Sequence, residues 1–327
     1  MLKEISIEII RRCPNHCLHC SSSSDGHCKE ILDYEFFTSV VKDAAALGAQ
    51  TICLSGGEPF LHDRVTDMVQ FIASLGLKSY IYTSGIVFEP SGQRAPVSRE
   101  ILAAISPNVT KLIFNIEAAN PSTYDAIMGT DGCFELMKQS VRTAQELSIT
   151  TEAHFVPMKL NIHEIPEVVA LCAHLHISKL SFLRLVIHGR AKANEDRLVL
   201  SDEESRQLIQ LLIEQKRQSE VDIRIGVPLS AHSECEKCEA ANGKLNIKYD
   251  GQVFPCEVFK NRSLSHCLEG LQPESIYEKR LTDIYEHSPY LGLIRKKSSE
   301  FSFRKTCEMC IGQYLINKEE QETNGCE

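Results

Sequence analysis

Six short β-branched segments alternate with helical ones through the first 190 residues, and this alternation constrains the fold more than any other feature of the chain. The strand candidates are residues 4–10, 51–55, 78–83, 111–116, 150–155 and 179–186. Between them, 33–47 places Phe36, Phe37, Val40, Val41 and Ala44 on one helical face and stops at Gly48. Segments 63–75, 99–105, 134–147 and 166–174 have the same character. Successive βα units predict an α/β chain with a parallel sheet, either open or a partial barrel, whose ligand face lies at the carboxyl ends of the strands. After about residue 190 the pattern changes. A helix is expected from 202 to 217, then a cysteine-bearing loop, then a hairpin turning at Asp250 and Gly251. A helical stretch over 274–297 and a polar tail follow.

The chain has 327 residues, enough to bury a core without disulfides, yet it carries 14 cysteines and no tryptophan. Clustered cysteines in a chain with no signal-peptide pattern point to metal or redox chemistry in the cytoplasm. The net charge of −9 argues against nucleic-acid partners, and no apolar run is long enough to cross a membrane. Cys13, Cys17 and Cys20 form one group; Cys235, Cys238 and Cys256 a second; Cys307 and Cys310 a third. Cys28, Cys53, Cys133 and Cys172 are scattered and expected to be small core or surface residues.

The first group follows the first strand directly. Three thiolates at these spacings can converge on one face of a loop, as ligands of an iron–sulfur cluster with one iron left open. A zinc ion completed by His16 or His19 is the competing arrangement. At the end of the second strand, Gly56, Gly57, Glu58 and Pro59 supply a second signal. Paired glycines let backbone approach a ligand closely, and Glu58 is expected to accept hydrogen bonds from an ammonium group.

Together these two motifs resemble the radical S-adenosylmethionine (radical SAM) superfamily, over roughly residues 4–190. The resemblance implies a partial (β/α)6 barrel in residues 1–200. It implies a 4Fe-4S cluster on Cys13, Cys17 and Cys20, whose open iron takes the amino and carboxylate groups of S-adenosylmethionine. It also implies that the chain is an enzyme, an oxidoreductase that cleaves this cofactor reductively and abstracts a substrate hydrogen. His19 is placed near the adenine, and Gly56, Gly57, Glu58 and Pro59 face the methionine amino group. Ser84, in the Thr83-Ser84-Gly85 end of the third strand, and Asn115, ending the fourth, are further cofactor-binding candidates. Glu117 is expected to face cofactor or substrate. Arg184 is a candidate partner for the cofactor carboxylate, because Arg binds carboxylates bidentately.

Residues 201–327 resemble the SPASM/Twitch extension of such enzymes, a small cysteine-rich α+β domain. That likeness implies an auxiliary 4Fe-4S cluster on Cys238, Cys256, Cys307 and Cys310, with structural zinc as the alternative. Cys235, Cys267 and Cys326 are less well spaced candidates. The resemblance implies oxidation or cross-linking of a ribosomally made peptide. The alternatives are a dehydrogenase of a small molecule and, more remotely, a non-catalytic iron–sulfur or zinc protein. An electron donor such as flavodoxin or ferredoxin is implied. The cysteine loop starts at residue 13, so a leader-peptide-binding domain is expected on a separate protein. Arg295, Lys296, Lys297, Arg304 and Lys305 form a basic run that either meets an acidic peptide or is a solvated face.

Overall fold

The computed structural model describes residues 1–226, 229, 238–260, 264–300 and 310–324. Its strands are β1 (Glu4–Ile10), β2 (Thr51–Gly56), β3 (Lys78–Thr83), β4 (Ile86–Phe88), β5 (Arg94–Pro96), β6 (Lys111–Asn115), β7 (Thr151–Phe155), β8 (Lys179–Phe182), β9 (Asp222–Ile225), β10 (Lys244–Ile247) and β11 (Val253–Phe254). Its helices are α1 (Tyr34–Ala46), α2 (Val65–Ser74), α3 (Arg99–Ile105), α4 (Pro121–Met128), α5 (Cys133–Glu146), α6 (Ile165–His174), α7 (Arg190–Ala193), α8 (Glu195–Leu198), α9 (Asp202–Gln218), α10 (Leu281–His287), α11 (Pro289–Glu300) and α12 (Ile311–Asn324).

Nine strands form one sheet in the order β11-β10-β1-β2-β3-β6-β7-β8-β9, and β4 pairs with β5 apart from it. All neighbours in the large sheet are parallel except β10 and β11. The six predicted βα strands therefore lie side by side in chain order. Right-handed crossovers wound in one direction put their helices on one face, and α1, α2, α3 and α5 pack in succession accordingly. Helix starts are set locally: Asp33 caps α1, Ser98 caps α3 and Asn120 caps α4.

Residues after 200 add strands to both edges of this sheet. β9 joins β8, and the Asp250-Gly251 hairpin pairs β10 with β1. α10 packs on α1, where Asp43 accepts from the Leu281 amide at 3.1 Å and pairs with Arg280. Three features depart from the sequence reading. The sixth strand stops at Phe182, the 274–297 stretch is two helices, and part of the polar tail is the helix α12.

Alternation along β1 organises the interior. Ile5, Ile7 and Ile9 are fully buried in the main hydrophobic core. Glu4 and Ser6 line a central cavity on the opposite face, and Glu8 lines the neighbouring one.

Candidate active site

The loop after β1 is held from several sides. The Cys13 amide donates to Asp25 O at 2.9 Å, and the His16 and Leu18 amides donate to Met128 O and Ile127 O at 3.0 and 2.9 Å. Arg94 Nε donates to Pro14 O at 2.8 Å. Arg190 donates through Nε to Cys17 O at 2.8 Å and through Nη2 to Ser24 O at 2.7 Å. Gly129, in the left-handed region at φ 64°, ends α4 where a Cβ would collide with the His16 carbonyl.

So braced, Cys13, Cys17 and Cys20 line one cavity of about 250 Å³ together with Gly56, Gly57 and Asn115. Burial pushes the Cys17 thiol up, and the sulfurs of Cys13 and Cys20 push it further. Among the described residues, no group of His, Cys, Asp or Glu side chains closes around a single-ion position. A 4Fe-4S cluster does not need that, because each thiolate binds a different iron. Three neighbouring sulfurs facing one cavity fit such a cluster with its fourth iron open.

Within the Gly-Gly-Glu-Pro segment, Gly56 and Gly57 line the cavity, whereas Glu58 and Pro59 do not. The Gly57 amide donates to Ile10 O at 2.7 Å, and the Glu58 amide to Arg12 O at 2.9 Å. A Cβ on Gly57 would collide with the carbonyl oxygens of Arg11 and Arg12. The glycines let the end of β2 press against the base of the cysteine loop. Glu58 is fully buried and its oxygens are already taken. They accept from Thr83 Oγ1 at 2.7 Å and from the Ser84 amide and hydroxyl at 2.9 and 2.6 Å. Glu58 also caps the turn Pro59–Leu61. Glu58 therefore ties the end of β2 to the end of β3. It and Pro59 stand behind the cavity lined by Gly56, Gly57, Thr83 and Ser84.

His19 lines the cavity, its Nε2 3.4 Å from Glu117 Oε1 and its Nδ1 buried without a partner. Glu117 is fully buried and accepts from the Val156 amide at 2.9 Å, so it positions His19 and does not face a ligand itself.

A second cavity of about 450 Å³ adjoins the first, sharing His19, Ser55, Tyr82, Asn115, Val156 and Glu257 as a common wall. It extends past His154 to Arg184 and Cys256. Burial, then Arg224 and Lys111, push His154 down to about 3, so its imidazole is neutral at working pH. At the far end Cys256, Cys238 and Cys310 are neighbours: burial, then Cys310 and Cys238 among its neighbours, push the Cys256 thiol up to about 12. Cys307, Cys235 and Cys326 lie outside the described residues. Cys267 is buried against α12 and donates to Leu315 O at 3.5 Å, so it is not presented to this group.

Arg184 is not at the first cavity. It lines the second and donates from Nη2 to Cys310 Sγ at 3.2 Å. In the basic run, Arg295 is folded inward, donating to Ala241 O at 2.8 Å and lying over the Tyr285 ring, while Lys296 pairs with Glu300.

A charge network centred on the buried Lys260 and Glu8 joins the two cavities. Lys260, 2% exposed, contacts Glu8, donates to Ser22 Oγ at 2.9 Å and pairs with Glu257 Oε2 at 2.7 Å. Burial alone would push its amine down, but Glu257 and Glu8 outweigh that and hold it protonated. The alternating polar positions Glu4, Ser6 and Glu8 were the available sequence signal for this face.

Residues 7–172 match the family described as the Radical SAM superfamily, half of the chain. The chain belongs to the radical SAM superfamily. Members use a 4Fe-4S cluster and S-adenosylmethionine. The PqqA peptide cyclase of Rhizobium meliloti (strain 1021) is 25% identical over 306 residues, covering 92% of this chain and 78% of the relative. The Fe-coproporphyrin III synthase of Methanosarcina barkeri (strain Fusaro / DSM 804) is 28% identical over 211 residues, 63% of this chain and 50% of the relative. The crystal structure of Streptococcus suis SuiB bound to S-adenosylmethionine superposes with a TM-score of 0.71 at 17% identity, covering 91% of this radical SAM chain and 68% of SuiB. That likeness establishes the shared fold. No helix among the described residues is long and apolar enough to cross a membrane.

Proposed function

We propose that this radical SAM protein oxidises or cross-links a residue of a ribosomally made peptide, with an auxiliary 4Fe-4S cluster at its second cysteine site. The observation that carries the reading is the pair of adjoining cavities, which begins at Cys13, Cys17 and Cys20 and ends at Cys256. When bound, the first cluster and S-adenosylmethionine supply a 5′-deoxyadenosyl radical that takes a hydrogen atom from substrate. Gly56, Gly57, Ser84, Asn115 and His19 form the wall against which the cofactor packs. Neutral His154 and Tyr82 line the chamber beyond without bringing charge to it. Cys238, Cys256 and Cys310, with Cys307, hold the auxiliary cluster, a site for the electron that leaves with a proton as the product closes its shell. The peptide substrate is supported by the likeness to the PqqA peptide cyclase of Rhizobium meliloti, which spans 92% of the chain.

The test is an anaerobic incubation of reconstituted protein with S-adenosylmethionine, dithionite and short peptides encoded beside its gene. One peptide should lose two hydrogens, one as the abstracted atom and one as the proton, with 5′-deoxyadenosine formed in step. Release of 5′-deoxyadenosine stimulated by a tetrapyrrole, and by none of the peptides, would move the substrate to the small-molecule class.

A further inference from the structure

Arg184 follows β8 and was expected at the cofactor carboxylate, yet its Nη2 donates to Cys310 Sγ at 3.2 Å. Its Nε is buried with no partner. Among the described residues Arg184 makes no ion pair, and its contact with the sulfur is its one side-chain hydrogen bond. A second donor meets the same sulfur: the Gln313 amide, at 3.4 Å. Gln313 lies in the first turn of the fourteen-residue helix α12, whose positive end therefore also points at Cys310. Cys256 and Arg184 share the wall of the larger cavity, so this corner of the site is the one a bound substrate would meet.

We propose that Arg184 is a positioning residue for redox poise: through Cys310 it raises the reduction potential of the iron–sulfur site formed with Cys238 and Cys256. This rests on the reading that those cysteines hold a 4Fe-4S cluster. Reduction adds one electron to the cluster and one unit of negative charge, with no bond made or broken. A cation and two hydrogen bonds on a ligand sulfur favour the reduced form, because net charge and hydrogen bonds to sulfur set the potentials of such clusters. Arg184 touches the second cysteine site and lines the second cavity, not the first.

The experiment uses the full-length chain with Cys13, Cys17 and Cys20 replaced by Ala, so that only the second site holds iron. The parent, Arg184→Gln and Arg184→Lys are reconstituted anaerobically and assayed for iron. Each is titrated with dithionite through redox mediators while the reduced cluster is followed by electron paramagnetic resonance. Arg184→Gln should retain its iron, and its reduced-to-oxidised ratio at a fixed ambient potential should fall about tenfold, about 59 mV for one electron. Arg184→Lys, which keeps charge but not the forked donor, should fall between it and the parent. A Gln variant with full iron that titrates at the parent potential overturns the proposal. If the Gln variant loses its iron, a Lys variant titrating at the parent potential overturns it instead. A parent with no iron overturns the auxiliary-cluster reading itself, a result distinct from an unchanged potential.

Discussion

The two cysteine sites of this radical SAM protein are built in opposite ways. Cys13, Cys17 and Cys20 lie on one short loop, but that loop is pinned by Arg94, Arg190, the end of α4 and the Gly56-Gly57 backbone. Cys238, Cys256 and Cys310 come from three separate segments, brought together by the β10–β11 hairpin and the start of α12. The first site is written in a local motif and needs the core only to hold it still. The second exists only through topology. Damage to the core should therefore reach the first site, whereas the second should be lost by changes that leave the parallel sheet intact.

The largest expected effect falls on the link between them. Lys260→Met removes the ammonium that joins Glu8 and Ser22, beside the first site, to Glu257, beside the second. Breaking a buried pair by removing one partner costs about 3–5 kcal/mol. Denaturant unfolding should show that loss, and the double variant Glu8→Gln with Lys260→Met should recover part of it. A loss under about 1 kcal/mol would mean that the two regions are not stapled here.

Gly57→Val should separate the sites. Its side chain meets the Arg11 and Arg12 carbonyls, so overpacking should cost about 3 kcal/mol and displace the cysteine loop. Iron at the first site should be lost while iron at the second remains. A variant that loads both sites normally would show that the close approach of β2 to the loop is not needed.

The smallest effect is a pH dependence in the second cavity, which His154 lines. His154 has a folded value near 3, below that of an unfolded histidine. Its contribution is therefore fully present above the ordinary histidine range and is lost as pH falls toward 3. Between pH 7 and 5 the unfolding free energy should drop by at most about 2 kcal/mol from this group. His154→Gln should flatten that slope; an unchanged slope would mean that His154 is solvated in the cavity.

The same contrast explains what the sequence made legible. The strand boundaries, the cysteine loop and the paired glycines are local patterns, and each lies within a residue or two of its expected place in β1, β2 and β3. The aim of a side chain is not local. Glu58 reads as a ligand for an ammonium group because nothing in the sequence shows that Thr83 and Ser84 fill its oxygens. Arg184 and Cys310 are 126 positions apart, and Lys260 and Glu8 are 252 apart, so no spacing rule could join them. β9 is short, and α12 hides its buried Ile311, Leu315 and Ile316 in a polar stretch.

Two cluster sites at opposite ends of one pair of cavities should be possible to empty independently. Iron analysis and Mössbauer spectroscopy of the Cys13→Ala, Cys17→Ala, Cys20→Ala protein, reconstituted without oxygen, test this most directly. About four irons, a 4Fe-4S spectrum and no 5′-deoxyadenosine from S-adenosylmethionine under dithionite are expected. A triple variant that still releases 5′-deoxyadenosine, or that holds one zinc and no iron, would contradict this.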